Sequence, residues 1–599
     1  MKKILLAIAL LLPALSFADG VSQEQALKVA ETYLSAKTTR SLAAPALNLK
    51  WTGGSNVQTR AGQEPAFYVF DNSAGGFVIV AGDDCVEPIL AYSNEGQFVV
   101  EGMPDNIKYW FDHLQEGIAY LRAAGFTPSA RVQSQWKAYR SGVAPVAMTR
   151  AGEGKLLETA AWSQGEPYNL KASEWCNING GEPVHSGCVA TATAIIMRYH
   201  KYPERGSGTI GGYTYDKGEG VITVRSYELG HTYDWDSMPL KDGSWSDYQK
   251  EQVATLVRDC GIMCEMHYGT YSNTGSSAVT SAAPDALVKY MGYDRSRDAL
   301  KRDYYEQDVW LGKIIENIDN NCPVLLNGKS ASGGGHAFVL DGYNSEKQIR
   351  INWGWGSLNN AFYTMPDFGG YRYDQTAFVN IKPDAGGVEV TPFIVQTGFE
   401  YTEDHKIDTE KKQITVYTNT QKLANGSGAI FHGSIVLVHT DSDYNFKSII
   451  KTINTTADGL RPSYKYGDTE ANPTFKMSDI EDGDMLKWFY KIAGTAVYLP
   501  VQNSVQEAGE LLLPSTADYF DIEEETSVEY AASKNKLIIR THTALQYTLK
   551  SSTNAEITSG TELNKGVLTI DLESLADGTY TLTLNVGKNS KELKFTVGQ

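Results

Sequence analysis

The spacing of hydrophobic and polar positions changes several times along the chain, and each change predicts a different structure. Residues 22–37 place apolar side chains at i, i+3, i+4, i+7 and i+8, which predicts a helix. Apolar runs at 66–70 and 76–80 flank a polar pentapeptide and predict a β-hairpin. A second helical stripe occupies 107–121. We therefore expect residues 19–128 to form a small α+β domain.

The next region loses this periodicity. Residues 140–160 combine glycine, proline and basic side chains, a composition typical of an exposed linker open to proteolysis. We predict an activation linker at 129–155, where a cut would release the first domain. Residues 156–383 then mix helical and strand patterns, and most of the chemically suggestive positions lie there.

The C-terminal third alternates polar and apolar positions in short runs separated by Gly, Asn and Asp. Runs such as 536–540 and 579–586 have the period of two expected of strands with one buried face. This spacing is typical of β-sandwiches. We predict two all-β, immunoglobulin-like sandwich modules, at 388–515 and 516–599.

The first residues have the composition of an export signal. Lys2 and Lys3 precede an apolar run, Ile4–Phe17, and small residues lead to Ala18. The run is shorter than the roughly 20 residues needed to cross a bilayer, and no later segment is uniformly apolar over that length. We predict a signal peptide at 1–18 and a secreted or cell-surface protein without a membrane span.

Composition limits the partners further. The chain has 53 basic and 71 acidic residues and a formal net charge of −18. Such a surface repels a phosphate backbone, so we predict no nucleic-acid partner. Six cysteines are few for a secreted protein stapled by disulfides, and five of them lie between Cys176 and Cys322. Because five is odd, at least one thiol there is expected to be unpaired.

Cys188 is the most suggestive of these cysteines. The loop Ser186-Gly187 leads into an apolar helix whose first residue is the cysteine. The free N–H groups and the dipole of a helix N-terminus stabilise a thiolate and so lower the pKa of the thiol. Taken alone, however, the pattern favours a small structural cysteine on a buried helix. A nucleophilic role also requires a base.

The candidate base is His336, which follows three glycines and begins an apolar run that predicts a strand. Glycines allow the backbone to lie close to a bound chain, which makes Gly334 and Gly335 candidate substrate-binding residues. The alternative is an ordinary loop histidine.

A second run, 348–353, predicts the hairpin partner of this strand, with the turn near Asn344. A turn centred there sets Asn352 opposite His336, within about one residue. An amide at that place would bind one imidazole nitrogen and fix the tautomer. Trp353, the next residue, would shield that bond from water and is a third candidate substrate-binding residue.

Acyl transfer also needs hydrogen-bond donors for the developing oxyanion. The N–H of Cys188 is one candidate, and the side chain of Gln164 in Trp162-Ser163-Gln164-Gly165 is another. On pattern alone, a solvated loop glutamine is the alternative.

Other features are assigned to structure. Cys260, Cys264 and His267 have a spacing that binds zinc elsewhere, but Cys260 lies on an apolar helical stripe and no fourth ligand is evident. We predict core packing there, and neither a metal nor another cofactor. We interpret His185 as a solvated loop histidine, and Trp355 as a cleft wall rather than a sugar-stacking platform.

Several motifs together resemble a known family, the streptopain family of bacterial cysteine peptidases, which have a papain-like fold. The similar segments occur in order at 162–169, 187–192, 197–203, 334–337 and 352–356. The resemblance covers about 155–383. It implies that Cys188 is the nucleophile, His336 the general base and acid, and Gln164 part of the oxyanion hole, while Asn352 and Trp353 orient and cover the histidine.

The flanking regions carry resemblances of their own. Segments 76–83 and 89–93 are similar to the family's inhibitory propeptide, which is related to the streptococcal protease inhibitor, and this implies a zymogen. The last module resembles C-terminal sorting domains of outer-membrane secretion systems, which implies sorting or attachment.

The sequence thus predicts a multidomain α+β protein: an α+β propeptide, a papain-like cysteine peptidase domain and two sandwich modules. We expect a secreted cysteine endopeptidase, made as a zymogen, that hydrolyses proteins or peptides through Cys188, His336 and an acyl-enzyme. Its own propeptide would be an intramolecular inhibitor. The alternative is a surface-binding protein whose modules attach to host protein, glycan or envelope, with a secondary or inactive peptidase domain.

Overall fold

The structure, a computed structural model, forms two compact units, residues 1–391 and 392–599. It describes residues 20–37, 46–54, 65–145, 154–175, 183–218, 220–270, 275–329, 335–365, 375–397, 401–408, 410–418, 422–467, 469–503, 510–514, 526–531, 535–541, 545–563, 566–586 and 589–598. The predicted signal peptide, Cys176 and Gly334 lie outside these residues.

The N-terminal part of the first unit is an antiparallel sheet with packed helices. Its helices are α1 (Gln23–Lys37), α2 (Asp105–Ala124) and α3 (Ala130–Arg140), and its strands are β1 (Leu47–Gly53), β2 (Phe67–Asn72), β3 (Phe77–Ala81) and β4 (Ile89–Ser93). Helix α1 buries the predicted stripe, Ala26, Val29, Ala30, Tyr33 and Leu34. The predicted hairpin is β2 paired with β3. Both periodicity predictions are confirmed.

Helix α3 corrects the start of the linker, which we expected at residue 129. Val132, Trp136 and Tyr139 are buried in the core of the N-terminal part. The indole of Trp136 donates to the carbonyl of Val86 at 2.8 Å, and Arg140 pairs with Asp84 at 2.9 Å. The polar residues of this helix hide its short apolar stripe, so the packed domain extends to about residue 140.

The rest of the first unit joins helices to the same sheet. Its helices are α4 (Cys188–His200), α5 (Asp247–Met263), α6 (Ala282–Met291) and α7 (Gln307–Asp319). Its strands are β5 (Lys155–Leu156), β6 (Thr209–Ile210), β7 (Tyr213–Asp216), β8 (Val221–Val224), β9 (Tyr227–Glu228), β10 (Asp298–Lys301), β11 (Val324–Lys329), β12 (Gly335–Tyr343), β13 (Ile349–Asn352), β14 (Ala361–Tyr363) and β15 (Gln375–Val379). Helix α4 is buried from Val189 to Arg198.

One sheet runs through both parts, in the order β1-β2-β3-β4-β14-β13-β12-β11-β15-β10, with β5 beside β12. The join is antiparallel, with Tyr92 of β4 opposite Phe362 of β14. The side chains on the two faces of β12 contribute to different hydrophobic cores. Phe338 and Leu340 belong to the core shared with the N-terminal part, whereas Ala337 and Val339 pack with α4.

The β12–β13 hairpin is present, but its register differs from the prediction. Asn352 pairs with Val339, not with His336. The turn begins at Asn344, whose side-chain oxygen accepts the N–H groups of Glu346 and Gln348. It continues through Lys347, whose φ of 61° is left-handed. The turn is therefore centred about two residues later than we assumed, and this moves Asn352 along the partner strand.

The second unit is built from strands, as the alternating pattern predicts. Its first module has β16 (Ile394–Thr397), β17 (Tyr401–Asp408), β18 (Gln413–Thr418), β19 (Lys422–Asn425), β20 (Gly433–Thr440), β21 (Phe446–Asn454), β22 (Lys465–Tyr466), β23 (Thr474–Lys476), β24 (Met485–Ile492), β25 (Leu499–Pro500), β26 (Gln502–Asn503) and β27 (Glu510–Leu512). Its second has β28 (Thr526–Ala531), β29 (Lys536–Thr541), β30 (Leu545–Ser551), β31 (Glu556–Leu563), β32 (Gly566–Asp571), β33 (Gly578–Val586) and β34 (Asn589–Val597). The modules have separate sheets, but Met477 of the first module lies in the core of the second, and Ile407 packs against both cores.

Cys260 and Cys264 are buried in the core around α4, where the sulfur of Cys260 lies 3.5 Å from that of Met197. The ring of His267 stacks on Tyr215 with centroids 4.4 Å apart. The packing predicted for the two cysteines is confirmed. All five cysteines within the described ranges are free thiols. No helix among those ranges is both long and apolar enough to cross a membrane.

Candidate active site

The loop before Cys188 explains why a glycine precedes the cysteine. Gly187 has φ = 88°, a left-handed conformation that L side chains rarely adopt. A Cβ there would lie 2.6 Å from the sulfur of Met266. Both the conformation and the lack of space require glycine. Helix α4 begins directly after it, so Cys188 is its first residue, as predicted.

The backbone N–H groups of Ala337, Val189 and Cys188 itself lie close to the sulfur of Cys188. These donors lower the pKa of the thiol, but desolvation by burial is the larger effect and raises it above 9.0. The expectation of a lowered pKa is therefore wrong for this form of the chain. The Ala337 contact places the thiol against the start of β12, directly after His336.

His336 is the second residue of β12 and pairs with Gly328 of β11. Its ring faces the N-terminal part of the unit, where the ring of Tyr109 on α2 lies 6.0 Å away between centroids. Gly328 makes room for Tyr109, because a Cβ at Gly328 would lie 2.6 Å from the tyrosine hydroxyl oxygen. Tyr109 therefore occupies the space beside the predicted base.

Gln164, the predicted oxyanion-hole residue, lies beside the cysteine loop. Its carbonyl accepts from both the N–H and the hydroxyl of Ser186, at 3.1 and 3.3 Å. Asn169 holds the same loop by donating to the carbonyl of Val184 at 2.7 Å. Within the described part of the chain, the side-chain amide of Gln164 has no hydrogen-bond partner, so it is available as a donor.

Asn352 is almost fully buried and its amide is bound from both sides. The amide nitrogen donates to the hydroxyl of Thr159 at 3.0 Å and to the carbonyl of Ala160 at 2.9 Å. Its oxygen accepts from the N–H of Gly354 at 3.2 Å. The structure thus fixes which way the amide points, but through Thr159 and Ala160, which the sequence did not single out.

The two remaining predicted substrate residues differ in exposure. Gly335 is exposed, and the nearest atom to a Cβ there would be a carbonyl oxygen 4.0 Å away. Trp353 is fully buried, and its indole donates to the carbonyl of Asn359 at 3.0 Å. Its ring packs on Phe338 at 4.8 Å and on Trp110 of α2 at 5.8 Å.

The profile of the Peptidase C10 family matches residues 162–363, the part that contains Cys188, Gln164, His336 and Asn352. Streptopain of Streptococcus pyogenes is 30% identical over 347 residues, which are 53% of this chain and 80% of streptopain. The chain belongs to the peptidase C10 family. It is therefore a cysteine peptidase, and its catalytic domain is papain-like.

The profile of the Spi protease inhibitor matches residues 18–118 of this C10 peptidase. The N-terminal part is thus a propeptide inhibitor domain, and α2, which carries Tyr109 and Trp110, belongs to it. The sequence did not single out Tyr109, although an aromatic residue beside the apolar stripe of α2 was the available signal.

Two further comparisons extend the set of relatives. The thiol protease/hemagglutinin PrtT of Porphyromonas gingivalis is 29% identical over 449 residues, which are 71% of this chain. The C10 chain spans 50% of the length of PrtT. A solved fragment of Prevotella intermedia prointerpain A is 25% identical, with a TM-score of 0.43, and the match covers 56% of this chain and 99% of that fragment.

His185 lies three residues before Cys188 and is half-buried, not fully solvated. Its carbonyl accepts from the hydroxyl of Ser276 at 2.6 Å, and its ring meets Trp355 edge to face at 6.0 Å. Burial lowers the pKa of His185. Trp355 therefore packs against the loop that precedes Cys188.

Proposed function

We propose that this chain is a secreted cysteine endopeptidase made as a zymogen. The observation that carries the proposal is the position of Cys188. The backbone N–H of Ala337 lies close to its sulfur, so the thiol is next to the residue that follows His336. The signal sequence at 1–18 supports export, and the inhibitor domain supports a latent precursor.

In the mature enzyme, His336 takes the thiol proton and the thiolate attacks the carbonyl carbon of the scissile peptide bond. The amide of Gln164 and the N–H of Cys188 stabilise the oxyanion. His336 returns the proton to the leaving amine, which departs and leaves an acyl-enzyme. Water, deprotonated by His336, then releases the acid and regenerates the thiol.

Asn352 completes this arrangement by accepting an N–H of the imidazole, which selects the tautomer that can act on the thiol. Trp353 covers the hydrogen bond between Asn352 and His336 once substrate has bound. The exposed backbone at Gly335, and that at Gly334, would run beside the substrate chain.

In the precursor, α2 prevents this chemistry. Tyr109 lies against the ring of His336, and Trp110 is enclosed by Phe338, Trp353 and Tyr363. We infer that these contacts hold the imidazole away from the thiol. Cleavage between about 141 and 155, followed by loss of the inhibitor domain, would free it.

The deciding experiment compares Cys188→Ala with Cys264→Ala, which replaces a buried thiol outside the site. Cys188→Ala should abolish casein cleavage and self-processing, and an epoxide inhibitor of the E-64 type should alkylate Cys188 in the mature wild type. Cys264→Ala should remain active. An active Cys188→Ala enzyme would refute the assignment. Lack of alkylation would favour the surface-binding alternative.

A further inference from the structure

Residues 388–392, which lie between β15 and β16, have no backbone hydrogen bond to any described residue. The side chain of Val388 is 80% exposed, and Glu389 and Thr391 are exposed too. Glu389 is 3.9 Å from Arg297, a long ion pair that contributes little. Few interactions would therefore be lost if another protein bound this stretch.

A latch formed by Asp294 fixes the chain before the stretch. The N–H of Asp294 donates to the carbonyl of Lys382 at 3.0 Å. Oδ2 of its buried carboxylate accepts the N–H groups of Ala385 at 3.0 Å and Gly387 at 3.2 Å. A Cβ at Gly387 would overlap Oδ1 of the same carboxylate, so the latch requires glycine there. The fixed structure on this side therefore ends at Gly387.

Fixed structure resumes at Phe393, whose carbonyl accepts the N–H of Gly426 at 3.0 Å. Ile394 then pairs with Asn425 in the second unit. The five residues before Phe393 span about 16 Å when extended. Exposed segments without bonds of their own are preferred sites of proteolytic cuts, because they can enter a cleft without local unfolding.

A cut in this stretch leaves the hydrophobic cores intact. In the described part of the chain, the last core residue before the stretch is Ile381, which packs in the core around α4. The first core residue after it is Ile394, in the core of the first sandwich module. The catalytic domain and the modules should therefore both stay folded after hydrolysis.

The stretch begins far from Cys188 of its own chain. Nε2 of His200, the last residue of α4, is 2.9 Å from the carbonyl of Ile381, which leads into the latch. Cys188 is the first residue of the same helix, about 18 Å away along its axis. Because Asp294 holds the stretch near the far end of α4, a second copy of the chain is better placed to cut it.

We propose that residues 388–392 are a second processing site, at which the active peptidase of another copy breaks the covalent link between the catalytic domain and the sandwich modules. The inference rests on the proposed function, which supplies the nucleophile. One peptide bond between Gly387 and Thr391 breaks and water is added, so the catalytic domain keeps the new carboxylate and the modules keep the new amino group. The bond before Pro392 is unsuitable, because proline has no N–H and restricts the residue before it.

The substrate in the test is the full chain carrying Cys188→Ala, which cannot cut itself, and the enzyme is the self-processed wild type. Mass spectrometry of the products identifies the new chain ends over time. We expect ends between residues 387 and 391, formed at a rate proportional to the concentration of added enzyme. Cleavage of the activation linker in the same sample shows that the enzyme is active.

Two prolines should block the cut. Glu389→Pro combined with Val390→Pro removes two N–H groups that have no backbone partner in the described chain, so the fold should be unaffected. This variant should lose the products that end between 387 and 391 and should still be cut in the activation linker. Val390→Pro alone carries the same readout if the double variant does not fold.

Val497→Pro is the matched control, since it places a proline at a valine of the second unit that is 63% exposed. It should be cut between 387 and 391 as its parent is. An intact stretch in a substrate whose activation linker has been cut would overturn the inference, and so would equal cutting of the double-proline variant. An enzyme that cuts neither the linker nor casein would instead refute the proposed function.

Discussion

The ring of Tyr109, on a helix of the inhibitor domain, lies 6.0 Å from the imidazole of His336, with the ring planes at 43°. Replacing Tyr109 by Ala removes this contact and leaves the space beside Gly328 empty. We expect the separate inhibitor domain carrying Tyr109→Ala to bind the mature enzyme at least tenfold more weakly, about 1.4 kcal/mol. The measurement is its inhibition constant against a peptide substrate.

Tyr120 provides the matched control, since it lies on the same helix and is 45% exposed. Tyr120→Ala should leave the inhibition constant within about twofold, a change of about 0.4 kcal/mol. Equal inhibition by the Tyr109→Ala and wild-type domains would show that the contact with His336 does not contribute to binding.

The inhibitor domain should need α3 for its stability. A fragment ending at residue 128 lacks Val132, Trp136 and Tyr139, all buried in the core. Burying each such side chain contributes about 1.5–3 kcal/mol. We therefore expect fragment 20–145 to have a higher midpoint of urea denaturation than fragment 20–128, and to inhibit the mature enzyme more strongly. Equal midpoints would mean that α3 does not belong to the folded domain.

The reactivity of Cys188 should change when the zymogen is processed. In the zymogen, burial raises the pKa of its thiol above 9.0, so little thiolate exists at neutral pH. Iodoacetamide should modify Cys188 slowly at pH 7 and faster as pH rises above 9. In the mature enzyme, a thiolate paired with His336 should give a plateau that begins at lower pH. Site-resolved mass spectrometry measures both rates, and identical profiles would contradict the prediction.

Acid should destabilise the catalytic domain through His200, on the helix that Cys188 begins. Burial lowers the pKa of His200 from 6.5 to about 4, and its Nε2 is 2.9 Å from the carbonyl of Ile381. Between pH 6.5 and about 4 the unfolded chain binds a proton that the folded chain does not. The folded state therefore loses stability as pH falls through this window, by up to about 3 kcal/mol.

His200→Gln retains a donor for Ile381 but does not titrate. In a Cys188→Ala background, which prevents self-digestion, urea denaturation at pH 7 and pH 4.5 should show a smaller loss of stability for His200→Gln than for the parent. His432→Gln, at an exposed position of the second unit, should behave as the parent does. An undiminished acid loss in His200→Gln would exclude His200 as its cause.

Local patterns predicted local structure well. The stripe that α1 buries and the strand pair β2–β3 depend on neighbours within a few residues, and both were predicted from spacing. Helix α3 was missed because its three buried residues are surrounded by Arg, Gln, Ser and Lys. Its stability comes from tertiary contacts such as the bond from Trp136 to Val86, which no local pattern reveals.

Prediction of the site from the sequence was limited in the same way: local features were predicted, and features that depend on distant residues were not. The glycine before Cys188 and the helix after it were predicted, since both are local. The strand register was not, because it depended on a turn in which Asn344 binds two backbone N–H groups and Lys347 is left-handed. Tyr109 and Thr159 reach their partners only through the pairing of distant strands, β4 with β14 and β5 with β12.

The shared sheet has a consequence for how activation proceeds in time. If the linker is hydrolysed, the ladder between Tyr92 and Phe362 still holds the cut inhibitor on the peptidase without any covalent link. Activity would then follow a dissociation equilibrium and rise on dilution. It would become irreversible only when the released domain is digested, so the lifetime of the free inhibitor, rather than the first cut, would set the rate of activation.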